Sequence, residues 1–486
     1  MQIYNTQTHR KQELEPIEPG KIRMYVCGPT VYDQIHIGNA RTFLSFDVIR
    51  RYLMYKGYEV TFAQNLTDVD DKIINRANEQ GRTAADVAEE FSNAFIEQMH
   101  RFGILDPDIR PRATHEIKAM QEMIESLIEQ GNAYVADNGD VYFSVRSDNS
   151  YGILSGRDLD QMRAGERVEV NDQKRDPFDF ALWKAAKPGE PSWPSPWGEG
   201  RPGWHTECCA MIHRYLGTPI DIHGGGADLV FPHHENETAQ AMCAWHEPLA
   251  NVWMHTGMLR VDGEKMSKSL GNFYTLKEVL DKCPADAVRL LMLQTHYRAP
   301  LDFSFDRLEG AVGTLERLRT CEKNLLWAAE NGTGSEDLDP KLLDAVREAR
   351  DEFTRQMDDD FNTAGGLAAV FSLVTSANTY LADAGTAAGG KAAKTAAEAL
   401  SELVGVMGVT LDANEDELPA ELVGLAEKYA SYQGDSASEA ADALIAARQA
   451  ARKAKDWGTA DGIRDAITGL GLVLEDTAAG SRLRRA

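Results

Sequence analysis

The hydrophobic residues near the start of the chain have the spacing of a strand, then of a helix, then of a second strand. Residues 21–27 and 59–65 are short runs rich in β-branched and aromatic residues, which is typical of strands. Between them, apolar residues recur at helical spacing from Ala40 to Lys56, and Gly57 is placed to end that helix. The pattern predicts a strand, a glycine-containing loop, a helix and a second strand.

The same alternation continues after the second strand. Asp70 and Asp71 favour a helix N-terminus by their charge, while Thr83 and Thr114 stand where further helices are expected to begin. Gly131 is placed as a helix stop. Strands and helices in this order predict an α/β fold with a Rossmann-type, doubly wound parallel sheet.

The pattern changes at residues 133–145. Two short strands flank Asn138 and Gly139, which together favour a tight hairpin turn. The chain from there to Gly203 is rich in Pro, Gly and Trp. We interpret residues 133–202 as a connective insertion between two halves of the sheet domain, 1–132 and 203–260.

Helical periodicity dominates the rest of the chain. Amphipathic helices are predicted over 276–297 and 305–327, and another helical stretch from Pro340 to about residue 383. Residues 386–394 and 412–416 have the composition of linkers, the second of them acidic. Residues 441–457 are predicted to form one helix with a basic second half. The expected architecture is therefore a sheet domain followed by a helical bundle and a small C-terminal domain.

Composition limits the class of protein. The chain has 486 residues, 43% of them apolar, and no apolar run long enough to span a membrane. Six scattered cysteines without a disulfide framework, and no visible signal peptide, favour a cytoplasmic protein. The net charge is −25, a poor average for binding nucleic acid, but the segment from Arg448 onward has eight Lys/Arg against five Asp/Glu. A basic tail of this kind can bind RNA locally.

The first candidate site lies where the first predicted strand gives way to the helix. A loop with Gly28 and Gly38 leads into a helix N-terminus, whose backbone N–H groups and dipole favour an anion. His36 adds a donor at the same edge. An ordinary strand–helix connection would have the same pattern, so this stretch alone leaves both interpretations open.

A lysine-rich loop far along the chain narrows the choice. Residues 265–269 read K-M-S-K-S, and two lysines among small hydroxyl residues can clamp a polyphosphate. With H-I-G-N at residues 36–39, this loop resembles the paired signatures of the class I aminoacyl-tRNA synthetases. Asn39 stands where that signature usually has a second histidine, and its amide donates a hydrogen bond but carries no charge.

The second candidate site spans residues 204–237. The segment contains Cys208, Cys209, His233, His234 and Glu237, all of residue types that bind zinc. His233 and Glu237 are four residues apart and share one face if the segment is helical. Histidines and glutamates at helical spacing are common without a metal, so spacing alone does not decide for zinc.

Four further stretches resemble the cysteinyl-tRNA synthetase family through the whole chain. They read M-Y-V-C-G, P-G-W-H-T-E-C, D-I-H-G-G-G-A-D-L and F-P-H-H-E-N-E. The resemblance implies one zinc ion per chain held by Cys27, Cys208, His233 and Glu237, with Cys209 and His234 as neighbours that are not chosen. Zinc prefers a thiolate to a hydroxyl, so such a site would take cysteine and reject serine without an editing domain.

The resemblance also assigns roles to other residues. It implies cysteine contacts by Cys27, Thr67, Trp204 and His223, and catalytic roles for His36, Asn39, Lys265 and Lys268. It implies ATP binding, together with Mg²⁺, by Gly28, Thr30, His36, Gly38, Asn39 and Lys268. It places tRNA contacts in the C-terminal domain, where we select Arg448, Arg452, Lys453, Lys455, Trp457 and Arg482.

The implied activity is ATP-dependent joining of L-cysteine to tRNA(Cys) by a monomer. The corresponding domains are 1–132 and 203–260 for the two halves of the catalytic domain, 133–202 for the insertion, 261–320 for the lysine loop and connecting helices, 321–411 for the bundle, 412–425 for a linker and 426–486 for anticodon binding. One alternative is a cysteine ligase acting on an amino sugar, as in mycothiol synthesis, but the basic tail argues against it. The other is a non-catalytic zinc-dependent RNA-binding protein, which would need neither His36 nor both lysines.

Overall fold

The structure, a computed structural model, describes residues 1–159, 173–266, 272–334, 340–411, 419–477 and 480–485. Its strands are β1 (Gln2–Asn5), β2 (Arg10–Glu13), β3 (Lys21–Val26), β4 (Glu59–Gln64), β5 (Ala133–Val135), β6 (Val141–Phe143), β7 (Phe180–Ala185), β8 (Gly200–Pro202), β9 (Ile220–Gly226), β10 (Ala250–Thr256), β11 (Leu259–Val261), β12 (Glu264–Lys265), β13 (Leu301–Phe303), β14 (Leu472–Thr477) and β15 (Gly480–Arg485).

The α-helices of the described residues follow the same chain order. They are α1 (Ile37–Tyr55), α2 (Asp71–Gln80), α3 (Ala84–Arg101), α4 (Ile117–Glu129), α5 (Glu207–Leu216), α6 (Glu235–Trp245), α7 (Leu276–Leu280), α8 (Ala285–Leu293), α9 (Phe305–Asn331), α10 (Pro340–Met357), α11 (Thr363–Ala384), α12 (Gly390–Val406), α13 (Glu421–Ala430), α14 (Ala437–Lys453) and α15 (Trp457–Gly469). None of these helices has both the length and the apolar character needed to cross a membrane.

The chain divides into two compact units. The first comprises Met1–Leu315, Arg350–Val370 and Leu403–Val409, and the second comprises Glu316–Ala349, Phe371–Glu402 and Thr410–Ala486. The first unit contains the predicted parallel sheet, with strand order β10-β9-β3-β4 and all neighbours parallel. The prediction of a doubly wound sheet is confirmed.

The order of these strands creates a crevice at one edge of the sheet. After β3 the chain adds β4 on one side, and β9 and β10 later fill the other side. Ligands of open α/β sheets bind where the strand order reverses, at the carboxyl ends of the strands. Helix α1 packs closely against β9 at this point, because a Cβ on Gly224 would lie 2.1 Å from the Phe46 ring.

The predicted hairpin is confirmed as the start of a separate antiparallel sheet. Strands β5, β6, β7 and β8 pair in that order, and Gly139 in the β5–β6 turn has a φ of +87°. Only glycine adopts this backbone conformation without strain. The sheet interrupts the chain between the two halves of the parallel sheet, as the change of sequence pattern indicated.

Two predicted helical stretches are wrong in their continuity. The stretch 276–297 forms α7 and α8, with Pro284 as the N-cap of α8, because proline lacks the backbone donor that a continuous helix would need at that position. The stretch from Pro340 to 383 is broken between α10 and α11, where Asp360 and Phe361 have positive φ values of 64° and 52°. The buried Asp360 carboxylate accepts hydrogen bonds from the Tyr4 amide and from the Tyr297 hydroxyl, and tertiary contacts thus override helical propensity.

The second unit ends in three helices and the β14–β15 hairpin. Their core includes Leu422, Leu444, Ile463 and Ile467. The predicted helix 441–457 is wrong at both ends, since α14 spans Ala437–Lys453 and Trp457 begins α15 after its N-cap, Asp456. The predicted linker 386–394 is also too long, because α12 begins at Gly390. The acidic linker 412–416 lies outside the described residues.

Candidate functional site

A cavity of about 450 Å³ lies at the crevice of the parallel sheet. Its wall is formed by the loop after β3, the start of α1, the end of β9 and the segment that joins β10 to β11. The residues that line it include Cys27, Gly28, Thr30, His36, Gly38, Asn39, Asp228, Thr256, Met258 and Met266. The sequence-predicted nucleotide-binding residues therefore come together, apart from the lysine loop.

The start of α1 shows what Asn39 does locally. The backbone N–H of Asn39 donates to His36 Nδ1 (3.1 Å), and the backbone N–H of His36 donates to the side-chain Oδ1 of Asn39 (3.4 Å). These two hydrogen bonds form a reciprocal capping box. Because Nδ1 accepts a hydrogen bond, neutral His36 carries its proton on Nε2. A Cβ on Gly38 would lie 2.9 Å from the His36 ring, so glycine permits this close packing.

The lysine loop is described only at its margin. Lys265 belongs to β12, and its backbone pairs with Arg260 of β11 in a short hairpin. Met266 lines the cavity. Lys268 lies outside the described residues. The hairpin thus delivers the chain to the cavity just before the predicted clamp.

Behind the loop after β3 lies a buried cluster of metal-binding side chains. Cys27, Cys208, His233 and Glu237 each place one donor atom within 4.8 Å of the others, and all four are buried. Four elements supply them: the end of β3, helix α5, the turn before α6, and α6 itself. Cys27 Sγ lies 3.6 Å from Cys208 Sγ and 3.7 Å from Glu237 Oε1, and His233 Nε2 lies 2.8 Å from the same Glu237 oxygen.

These separations suit a tetrahedral metal. Two thiolates on one zinc ion are about 3.8 Å apart, as Zn–S bonds of about 2.3 Å at tetrahedral angles require. The 3.6 Å between Cys27 Sγ and Cys208 Sγ is close to that value. A donor set of two sulfurs, one imidazole nitrogen and one carboxylate oxygen is of a kind that zinc binds. The residues present therefore fit a zinc ion.

A second set of donors overlaps the first. Cys27, His223, His234 and Glu237 also bring one ligand atom each within 4.8 Å of one another. His234 Nε2 lies 3.2 Å from Cys27 Sγ, and its Nδ1 lies 2.7 Å from His255 Nε2. Both sets share a cysteine and a glutamate, so geometry alone leaves two candidate ligand sets.

One contact in this cluster has the distance of an ion pair without hydrogen-bond geometry. His223 Nε2 and Glu237 Oε2 are 2.8 Å apart, yet neither atom has a hydrogen-bond partner among the described residues, and both residues are fully buried. Buried polar atoms are nearly always satisfied in native structures. Unsatisfied atoms at the centre of a donor cluster are what a site built for a ligand would leave.

Electrostatics prepares the cluster for a cation. Burial alone would raise the pKa of Cys208, but hydrogen bonds from Cys27 and His233 lower the pKa of this thiol to about 6. Burial raises the pKa of Cys27. Despite burial, the neighbouring His233 and His223 hold the pKa of Glu237 well below its usual range. A thiolate and a carboxylate in a buried site favour a bound metal ion.

The predicted cysteine-binding residues surround this cluster. Trp204 stacks on the His233 ring with centroids 4.3 Å apart, and His223 stacks on Trp253 at 4.4 Å. The Thr67 hydroxyl, at the end of the loop after β4, donates to Glu207 Oε2 (2.6 Å). Trp204 is 36% exposed and His233 is buried, so the Trp204 ring covers the cluster on the side of His233.

Asn65 is a functional candidate that the sequence analysis missed. Its Oδ1 accepts from the Gly28 amide (2.8 Å) and lies 3.7 Å from Cys208 Sγ, and its Nδ2 donates to Thr67 Oγ1 (3.2 Å). One buried amide therefore joins the loop after β3, a residue predicted to bind cysteine and the donor cluster. A polar residue at the end of a buried strand is the signal that could have revealed it.

The predicted RNA-binding side chains differ in their accessibility. Arg452, Lys453, Lys455 and Trp457 are exposed at the end of α14 and the start of α15. Arg448 is only 7% exposed, which places it among the packed side chains of that unit. The Arg482 backbone belongs to β15, and its side chain lies outside the described set.

Comparison with known proteins covers nearly the whole chain. Residues 13–313 match the family described as tRNA synthetases class I (C) catalytic domain, and residues 352–412 match the DALR domain. Residues 435–484 match the cysteinyl-tRNA ligase anticodon binding domain. Three successive matches follow the sheet unit, the bundle and the C-terminal helices in order.

Relatives and solved structures agree with these matches. The chain is 46% identical over 487 residues to the cysteine–tRNA ligase of Caldicellulosiruptor saccharolyticus and 49% identical over 488 residues to that of Alkalilimnicola ehrlichii, covering all of each chain. A Mycobacterium tuberculosis methionyl-tRNA synthetase solved with methionyl-adenylate aligns with a TM-score of 0.62 at 16% identity, over 81% of this chain and 92% of that one. At that identity, the solved structure bears on the fold alone.

Proposed function

This chain belongs to the cysteine–tRNA ligase family of class I aminoacyl-tRNA synthetases, and we propose a division of labour between its cavity and its buried cluster. The ligase activates L-cysteine with ATP and transfers it to the 3′ end of tRNA(Cys). In the first step a cysteine carboxylate oxygen attacks the α-phosphorus of ATP, the bond to the β-phosphate oxygen breaks, and pyrophosphate leaves. In the second step a terminal ribose hydroxyl of the tRNA attacks the carbonyl carbon and AMP leaves.

The observation that carries the proposal is the adjacency of cluster and cavity. Cys27 belongs to the donor cluster and also lines the cavity, next to Gly28. A cysteine whose thiol meets the cluster therefore has its carboxylate on the side of the cavity where the start of α1 can hold phosphates. Holding both reactants in this geometry replaces an encounter of two molecules with a step inside one complex.

The cluster would hold zinc through Cys27, Cys208, His233 and Glu237. Zinc supplies affinity for a thiolate and lowers the pKa of a bound thiol. An apolar pocket rejects a small isostere by only about 10²-fold. Thr67, Trp204 and His223 would position the amino acid around this cluster, and a thiolate-selective donor set excludes serine because its hydroxyl is a poor substitute.

The cavity would hold ATP with Mg²⁺. Gly28, Thr30, Gly38 and Asn39 line the wall against which the phosphates would lie. The helix N-terminus and the His36 ring donor favour negative charge there. Lys265 and Lys268 would close over the leaving pyrophosphate, since the lysine point charge can follow a moving phosphate.

The C-terminal segment 426–486 would bind the anticodon. The exposed Arg452, Lys453, Lys455 and Trp457 support this assignment, because arginine and aromatic side chains stack on single-stranded bases. Arg448 and Arg482 complete the proposed set, with burial making Arg448 the weakest member. The proposal includes the domain boundaries predicted from the sequence. It also includes a monomeric state, because one chain supplies every group named above.

One assay tests the proposal. Cysteine-dependent exchange of pyrophosphate into ATP should occur without tRNA, and charging of tRNA(Cys) should need all three substrates. Serine should support exchange far more weakly than cysteine. Exchange followed by transfer to an amino sugar, and not to tRNA, would contradict the proposal, and absence of exchange would exclude a ligase of this type.

A further inference from the structure

An arginine behind the cavity wall donates hydrogen bonds to four backbone carbonyls. Arg41 lies on α1, five residues after His36, and is 2% exposed. Its guanidinium donates to the carbonyl oxygens of Gly257 (2.9 Å), Met258 (3.1 Å), His296 (3.2 Å) and Ala299 (2.6 Å).

The charge of this arginine has no carboxylate partner among the described residues. The three other buried arginines among the described residues of the first unit differ in this respect. Arg289 pairs with Asp47 at 2.7 Å, Arg50 on α1 with Asp108 at 3.0 Å, and Arg201 with Glu190 at 3.3 Å. Burial lowers the pKa of Arg41 to about 10, so it stays protonated at neutral pH. A buried cation without a carboxylate partner is costly. The hydrogen bonds of Arg41 to four carbonyls offset this cost, so a role in catalysis must be separated from a role in stability by a control variant of matched stability.

The bonded carbonyls belong to a place where two chain segments meet. Gly257 and Met258 line the cavity, and Leu259 begins β11 directly after them. Strand β11 pairs with β13 on one side and with β12 on the other. Arg260 of β11 pairs with Lys265, the first residue of the lysine loop. The guanidinium therefore sits at the root of the hairpin that leads into that loop.

The backbone of Arg41 belongs to helix α1, which also carries the residues at the edge of the cavity. Helix α1 begins at Ile37 with His36 as its N-cap, so the positions of His36, Gly38 and Arg41 are set together. A second contact, between Thr42 Oγ1 and Thr256 Oγ1 (2.8 Å), runs parallel to those of Arg41. The start of α1 and the root of the hairpin are thus joined by Nη1 and Nη2 of one guanidinium and by this hydroxyl contact.

We propose that Arg41 is a positioning residue for adenylate formation, which fixes the root of the lysine-loop hairpin relative to His36. This inference rests on the proposed function. Arg41 itself does not line the cavity. It acts through the carbonyls of Gly257 and Met258, which line the cavity, and so on the position of the cavity wall and of the β11–β12 hairpin that follows it. The donor cluster contains neither Arg41 nor the residues whose carbonyls it bonds, so binding of cysteine should be independent of Arg41.

Lysine and methionine variants separate geometry from charge. Arg41→Lys keeps the positive charge but loses the planar fork, and Arg41→Met keeps the length without any donor. In both we expect kcat for cysteine-dependent pyrophosphate exchange to fall about 10²-fold, as a misplacement of about 1 Å commonly causes. KM for cysteine and zinc content should stay at the values of the unmodified chain.

Arg50 provides the matched control. It lies on the same helix, is also buried, and donates to the Asp106 carbonyl (2.6 Å) and the Asp108 carboxylate, away from the cavity. Arg50→Lys and Arg50→Met should lower the melting temperature at least as much as the Arg41 variants while leaving kcat nearly unchanged.

Three results would overturn the inference: unchanged kcat in folded Arg41→Met, full activity of Arg41→Lys, or equal kcat losses in Arg41 and Arg50 variants of matched melting temperature. Exchange by the unmodified chain is the reference. If the unmodified chain itself shows no exchange, the proposed function fails and not merely the role of Arg41.

Discussion

Removing one unshared ligand distinguishes the two overlapping donor sets. Cys27 and Glu237 belong to both sets, so changing either would abolish metal binding in both cases. Cys208 belongs only to the set with His233, and His234 belongs only to the alternative set. We therefore expect Cys208→Ser to lose zinc and His234→Asn to retain it.

The magnitude follows from the number of ligands. A structural zinc site with four protein ligands contributes about 10–16 kcal/mol at neutral pH, or about 3 kcal/mol for each ligand. A serine hydroxyl is not a thiolate and recovers little of this, so zinc affinity should fall about 10²-fold or more. His234 contacts the proposed ligand Cys27 and is not itself one of the four proposed ligands, so its loss should reduce zinc affinity by about 10-fold, the lower end of the effect for a residue in contact with a ligand.

Cys209→Ser is the matched control for the cysteine change. Cys209 is the next residue on α5, is fully buried, and its thiol contacts the Glu237 carbonyl at 3.6 Å. A hydroxyl can keep that contact, so zinc should stay bound while the fold loses some stability. Zinc per chain is measured after dialysis, and affinity by competition with a chromogenic chelator. Full zinc in Cys208→Ser together with its loss in His234→Asn would refute the ligand assignment and select the alternative set.

Three further outcomes are expected. Lys268→Ala should lower the rate of pyrophosphate exchange about 10²–10³-fold with cysteine binding unchanged, because the charge acts mainly on the transition state, and an unchanged rate would exclude the clamp. Truncation before Pro419 should preserve pyrophosphate exchange but sharply reduce aminoacylation, and tRNA binding by the intact chain should weaken with added salt. Aminoacylation by the truncated, folded chain equal to that of the intact chain would contradict an anticodon-binding tail. Asp360→Asn should lower the free energy of unfolding in urea by about 2–3 kcal/mol through loss of a buried charged acceptor, and a change below about 0.5 kcal/mol would show that its contacts to Tyr4, Tyr297 and Arg298 add little.

Local patterns predicted most of the fold because local physics determines those elements. The runs 21–27 and 59–65 became parallel neighbours, and Thr83 caps α3 as its hydroxyl chemistry indicates. The failures occurred where distant contacts decide. The predicted helical stretch runs through residues 358–362, yet the chain turns at Asp360, whose carboxylate accepts hydrogen bonds from Tyr4 and Tyr297. No local pattern contains those partners.

The donor cluster shows the same limit at the level of the site. Adjacent residues such as Cys208 and Cys209 have identical chemistry, and α5 turns only one of them toward Cys27. Residue types and spacing therefore identify a group of candidates, while the helix orientation that selects among them is set by packing. The family resemblance selected Cys208 over Cys209 and His233 over His234, which periodicity alone could not do. The structure still places ligand atoms of His223 and His234 within 4.8 Å of those of Cys27 and Glu237.

The start of α6 shows why the connective insertion matters to the cluster. His233 and Glu237 point into the donor cluster, whereas the two residues between His234 and Glu237 turn away from it. Glu235 accepts hydrogen bonds from the amides of Gly152 and Ser155 (2.9 and 2.7 Å), and Asn236 accepts from the Tyr151 hydroxyl. One helical turn therefore carries both the contacts to residues 151–155 and the donor side chains of His233 and Glu237. We expect the insertion to support the positions of these donor side chains through the buried Glu235 and Asn236, at a point where sequence periodicity required only a helix.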